Sequence, residues 1–249
     1  MSLVVCSKST KDLLKGHDDY YVVTNPPKKD ILKRAKSEDD VIAIGGGAVL
    51  DTAKILSKGP IRCYPTTAAG SSATSWGVYW DGDRKLNFEA YTPLEVNIRE
   101  EFADTLPGVL RKSTTCDALC HCIESLHSKK ANQKSRGLAL IGLDLLKEGS
   151  LLNAGHIAGL AIEITGTNLL HSLSYPITAH YGIPHGQALG YLLNIFGGLF
   201  DVDLSPYKHN FTFNFKQIDL NLVIDEAFKY DKIFEHDADV TKELLKEKI

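Results

Sequence analysis

Apolar and polar positions divide the 249-residue chain into two stretches of different period. In the first, short apolar runs alternate with polar segments. The runs are Leu3-Val4-Val5-Cys6, Tyr20-Tyr21-Val22-Val23, Val41-Ile42-Ala43-Ile44 and Ile61-Arg62-Cys63-Tyr64, each of the length and β-branched or aromatic make-up of a strand. Residues 10–15, 28–36 and 48–57 between them are compatible with helices. The third run shows no alternation, as expected of a strand covered on both faces, and stops at Gly45-Gly46-Gly47 before a helix-compatible stretch. Strands alternating with helices predict a doubly wound parallel α/β sheet, Rossmann-like. From Leu106-Pro107 the period lengthens to that of helices, with no convincing strand as far as Leu199. An α/β domain over residues 1–105 and an all-helical domain over 106–249 are therefore expected. Phe211-Thr212-Phe213-Asn214-Phe215 alternates like a strand, ahead of a charged helical tail.

Composition leaves this picture in place and removes several functions. A hydrophobic content of 43% suits a chain with a substantial core, and a net charge of −3 with no long basic block makes nucleic acid a poor partner. No apolar run reaches the roughly 18 residues of a membrane helix, and the start lacks the basic, apolar and cleavage segments of a secretory leader. Cytoplasmic residence is expected. The five cysteines, Cys6, Cys63, Cys116, Cys120 and Cys122, are odd in number and lack zinc-thiolate spacing, so they read as reduced thiols.

The candidate chemistry lies in the helical part. Asp117 and His121 are four residues apart in a stretch, 114–128, free of Gly and Pro, so a carboxylate and an imidazole share one helical face. His171 and His185 form a second pair. Pro176 and the glycines from 182 to 186 break the helical pattern between them, which predicts that His185 sits on or beside a turn leading back to the His171 helix. Nitrogen and oxygen donors of this kind suit Fe2+ or Zn2+ better than Mg2+ or Ca2+. In the first part, the three glycines between a buried strand and a helix suit a pyrophosphate at the positive end of that helix, although tight turns use glycine for steric reasons as well.

These stretches, in this order, resemble the iron-containing (group III) alcohol dehydrogenase family. Asp117, His121, His171 and His185 match its Asp-x-x-x-His, His and His-Gly ligand pattern, including the fourteen residues between the last two. Residues 45–54 resemble its Gly-Gly-Gly-Ser-x-x-Asp-x-Ala-Lys signature, with Ala48 in place of Ser, which implies cofactor contacts from Gly45, Gly46, Gly47 and Asp51. Pro65-Thr66-Thr67-Ala68 resembles the family's cofactor loop, Thr74 and Lys85 match a later threonine and lysine, and Asn25-Pro26 resembles the Asn-Pro that closes over the cofactor, which implies cofactor contacts from Thr66, Thr67, Ser71, Thr74, Lys85 and Asn25. The loop Gly70-Ser71-Ser72-Ala73 is one residue short and lacks the family's Glu; Tyr175 stands where many members carry a His four residues after the third ligand. The resemblance covers residues 40–196 firmly and ends near Asp201. The family's longer C-terminal region, which helps close the substrate cleft, has no counterpart, so the wall comes from a partner chain or the cleft is open.

The resemblance implies NADH- or NADPH-dependent reduction of a small aldehyde, a bound Fe2+ or Zn2+ and a homodimer. Tyr175 or His180, or water, is expected to supply the proton. Ser7-Lys8, in place of an acidic residue after the first strand, favours NADPH. Tyr175-Pro176 is most similar to the phosphonoacetaldehyde reductase branch, although the helices offer few cations for such a substrate: Arg111, Lys112, Lys129, Lys130 and Arg136. Two other readings compete. One is a dehydroquinate synthase-like lyase; the other is a shortened relative that binds cofactor or metal without turnover.

Overall fold

The computed structural model describes residues 2–14, 16–213, 215, 217–230 and 242–249. Strands β1 (Leu3–Ser7), β2 (Tyr20–Val23), β3 (Val41–Gly45) and β4 (Arg62–Pro65) join a late strand, β7 (Glu95–Val96), in a five-stranded sheet ordered β2-β1-β3-β4-β7. Every pairing in it is parallel. The unalternating runs are buried on both faces: Leu3 and Val5 of β1 pack with β3 and helix α1 (Gly47–Leu56), whereas Val4 and Cys6 point the other way, onto Ile44, Leu14, Tyr64 and Phe102. The parallel pairing places the carboxyl ends of all five strands on one edge, where Ser7, Gly45 and Pro65 open into loops.

Two expected helices are not formed. Among the described residues, 10–14 and 28–36 contain only 3-10 turns, Lys11–Leu13 and Lys29–Arg34, because neither has an apolar face to offset the cost of nucleation, and Lys15 lies outside the described residues; Ile31 is the one buried side chain among those turn residues. Between β4 and β7 the chain adds an antiparallel hairpin that was not foreseen, β5 (Trp76–Asp81) with β6 (Arg84–Glu89). Gly82, at φ 60°, takes the first position of its two-residue turn, where a type II′ hairpin needs glycine.

Beyond the short helix α2 (Glu101–Asp104), the chain is helical: α3 (Gly108–His127), α4 (Gln133–Lys147), α5 (Leu151–Thr165), α6 (Leu169–Tyr181), α7 (His185–Phe196), α8 (Leu220–Tyr230) and α9 (Lys242–Lys246). Helix α3 is the hub, with Leu119 and Ile123 fully buried in a cluster that also takes Leu152, Leu169, Leu189 and Phe196. Pro176 does not end the helix as expected; α6 continues through it to Gly182, whose left-handed conformation terminates the helix. The expected strand at 211–215 is also absent among the described residues. Phe213 stacks on Phe215 and packs at the helical core instead, and Asn214 lies outside the described residues. No helix among the described residues is long and apolar enough to cross a membrane.

Candidate metal and cofactor site

Two close contacts bring the ligands together. A Cβ on Gly186 would lie 2.3 Å from the carbonyl oxygen of Ser113, so α7 begins directly against α3 and sets His185 beside the Asp117 turn. Helix α6 presents His171 from the other side, and Asp117 Oδ1 then lies 3.4 Å from His171 Nε2, 3.5 Å from His121 Nε2 and 3.9 Å from His185 Nε2. Bonds of roughly 2.0–2.2 Å to a tetrahedral ion place donors roughly 3.4 Å apart. Donor atoms of Asp117, His171 and His185 all lie within 4.8 Å of one another, whereas His121 stacks flat on His171, ring centroids 4.6 Å apart.

The hydrogen bonds leave the correct atoms free. Glu124 accepts from His171 Nδ1 at 2.6 Å and also from the backbone amides of Asn168 and His171, which turns the lone pair of Nε2 toward Asp117. Ser174 lies 3.0 Å from His185 Nδ1 while donating to the His171 carbonyl, so its oxygen accepts from the imidazole and leaves His185 Nε2 unprotonated. Asp117 Oδ1 and His171 Nε2 are buried without a hydrogen-bond partner. A divalent cation fits this donor set and would satisfy both atoms. Burial pushes His171 down, but the Glu124 and Asp117 carboxylates outweigh it and raise its pKa to about 9; burial lowers His121 to about 4 against the pull of Asp117.

Glu124 and Ser174 were missed in the sequence. Glu124 follows Asp117 by seven residues and His121 by three, so a stripe of polar groups on one buried helical face was the available signal. Glu124→Gln is expected to weaken metal binding about 10- to 100-fold, read by competition with a chelator, because Nδ1 then loses its charged acceptor.

The cofactor candidates gather at the carboxyl edge of the sheet. A Cβ on Gly45 would lie 2.6 Å from Val49 Cγ2 and one on Gly46 3.0 Å from Thr67 Cγ2, so the glycines let α1 start tight against both β3 and the loop after β4. That loop, residues 66–74, is wedged between α1, α3 and α5: the Ala68 amide donates to Thr114 Oγ1 at 2.6 Å, and Gly155 and Gly159 leave room for Ala68 and Gly70. Asp51, Ser71 and Thr74 hold the loop internally. Ser71 donates to Asp51 Oδ1 at 2.6 Å, and the buried Lys54 ammonium binds Thr74 O, Thr74 Oγ1 and Trp76 O at 2.8–2.9 Å. Asn25 is exposed after β2, with its amide on Thr24. Lys85 projects from β6 to 4.9 Å from the Tyr175 ring, whose centroid is 5.8 Å from that of His185. His180 stands apart from this group: nine residues along α6 from His171, roughly 13 Å at 1.5 Å per residue, it pairs with Glu226 of α8.

Residues 112–199 match the family model described as "Fe-containing alcohol dehydrogenase family, C-terminal", the span that holds all four predicted ligands. Over that span, about a third of its length, the chain is similar to the iron-containing alcohol dehydrogenase family. Among its relatives are lactaldehyde reductase of Escherichia coli, 27% identical over 196 residues (62% of this chain, 51% of that protein), and phosphonoacetaldehyde reductase of Streptomyces viridochromogenes, 28% identical over 211 residues (64% and 53%). The chain thus spans about half the length of these two relatives. A crystal structure of sulfoacetaldehyde reductase from Bifidobacterium kashiwanohense in complex with NAD+ has the same fold, with a TM-score of 0.82, 20% identity, and coverage of 99% of this chain and 89% of that one.

Proposed function

We propose that the chain reduces a short aldehyde with NAD(P)H, residues 1–105 holding the cofactor and 106–249 the metal, with phosphonoacetaldehyde as the first substrate to test. The observation that carries this reading is the buried, partnerless pair Asp117 Oδ1 and His171 Nε2, with His185 alongside and Tyr175 stacked on His185 at the edge of a cavity. Bound through Asp117, His121, His171 and His185, Fe2+ or Zn2+ would supply Lewis-acid polarisation of a carbonyl.

The protein's own groups do the rest. Glu124 and Ser174 fix the two imidazoles, and the glycine turn at 45–47 with Thr66 and Thr67 offers backbone and hydroxyl donors to a pyrophosphate at the α1 N-terminus. Tyr175 is the proton donor in this scheme, because its ring borders both the ligands and the cavity, whereas His180 lies further along α6 and is engaged by Glu226. Lys8, exposed just past β1, favours NADPH through the 2′-phosphate.

The test is a screen of metal-loaded protein against phosphonoacetaldehyde, acetaldehyde, glycolaldehyde and succinate semialdehyde with NADH and NADPH, following absorbance at 340 nm as roughly first-order loss of the reduced nicotinamide. Turnover of phosphonoacetaldehyde above the others, with tighter NADPH, is expected. Better turnover of the other three sinks the substrate while leaving the dehydrogenase; no turnover at all favours a relative that binds without catalysis.

A further inference from the structure

A cavity of about 420 Å³ opens between the β5–β6 hairpin and helices α6 and α8, within the range of small-molecule sites, about 300–1,000 Å³. Ser172 and Tyr175 form the wall it shares with the ligand cluster, since Ser172 adjoins His171 and Tyr175 stacks on His185. Arg84 and Lys85, the first residues of β6, contribute the hairpin wall. The acidic groups on the rim are mostly engaged elsewhere. Lys29 holds Asp81 at 2.7 Å, and His180 holds Glu226, which leaves Asp83 of the turn as the remaining carboxylate among the described lining residues. No ion pair or side-chain hydrogen bond engages the Arg84 guanidinium among the described residues.

A guanidinium that lines a cavity without a carboxylate partner is a planar, always charged fork that matches an oxyanion. The hairpin that carries it is rigid, with six residue pairs in register from Trp76–Glu89 to Asp81–Arg84 and a glycine at the turn position that requires one. We infer that Arg84 is the specificity-determining residue that receives the anionic end, phosphonate, sulfonate or carboxylate, of a short aldehyde whose carbonyl faces the ligand cluster. This rests on the aldehyde reductase reading and adds to it the substrate class and the residue that selects it. The cation comes from the hairpin, not from the ends of the ligand helices.

The experiment compares the metal-loaded wild type with Arg84→Ala and Arg84→Lys on phosphonoacetaldehyde and on propanal, a neutral aldehyde of similar length. The kcat/KM ratio of the anionic to the neutral compound is expected to fall about tenfold or more in Arg84→Ala, mainly through KM, and to recover in part in Arg84→Lys. An unchanged ratio, or an equal loss on both compounds, overturns the assignment. Calorimetric titration with phosphonoacetate reads the subsite without turnover. Binding that weakens about tenfold in Arg84→Ala, with an unchanged melting profile, supports it even if the wild type reduces no aldehyde, and equal binding overturns it. If Arg84→Ala fails to fold, Arg84→Gln takes its place in both measurements.

Discussion

His185→Ala is expected to abolish binding of Fe2+ or Zn2+, so that metal analysis of the purified variant falls to background while the wild type carries about one ion per chain. The expectation follows from how few atoms are available. Only Asp117, His171 and His185 bring donor atoms within 4.8 Å of one another among the described residues, and His121 is stacked beside them. Removal of His185 breaks that converging trio and leaves Asp117 and His171 with His121 stacked beside them, Asp117 Oδ1 and His171 Nε2 still buried and without partners. Helix α7 itself is held by the contact of Gly186 with Ser113 and by its apolar face, so the variant is expected to fold, and circular dichroism checks this. Full metal occupancy in His185→Ala would refute the ligand assignment.

Lys54→Met should destabilise the protein by about 3 kcal/mol in urea unfolding. Lys54 is 2% exposed, and its ammonium donates to the acceptors that shape the 66–76 segment: Thr74 O, Thr74 Oγ1, Trp76 O and, at 3.3 Å, Ser71 Oγ. A thioether of similar length fills the space but leaves those oxygens dry and unpaired. The pH dependence is distinctive. Burial lowers the folded-state pKa from 10.5 to about 8 despite the Asp51 carboxylate, so between those values the unfolded chain binds more protons. Wild-type stability therefore gains from this residue as pH rises from about 8 toward 10.5, by at most about 3 kcal/mol, and Lys54→Met lacks that gain. A variant as stable as the wild type would show that Lys54 does not hold the loop, and a difference between the two that shrinks over this range would show that its folded-state pKa is not depressed.

The parts of the fold that the sequence announced are those where one local rule decides. Val41-Ile42-Ala43-Ile44 before three glycines admits little besides a buried strand and a helix start, and Asp117 with His121 in a Gly- and Pro-free stretch fixes a shared helical face. Where packing decides, the sequence misled: residues 28–36 have helical composition but almost nothing to bury, and Pro176 is tolerated within α6 by its surroundings. The hairpin was legible and overlooked. Gly82-Asp83 between two strand-like runs is a short-range hairpin signal, and its tip carries the cation that was sought on the helices. Ser174 could not be found this way, because its role depends on the return of α7 across eleven residues and not on any spacing within a helix.

The contact of helix α5 with the 66–74 loop also limits how such chains can be recombined. Cβ atoms on Gly155 and Gly159 would lie 2.3 Å from Ala68 Cα and 2.4 Å from Gly70 O, distances that backbone atoms cannot yield without moving the loop. A chimera that joins this sheet to the helices of a relative therefore inherits a demand for small residues at two positions one turn apart, more than eighty residues away in sequence from the loop they accommodate. Exchanging residues 66–74 without α5, or α5 without the loop, is the cut most apt to fail, whereas a junction that carries both from one parent keeps the seam between sheet and helices intact.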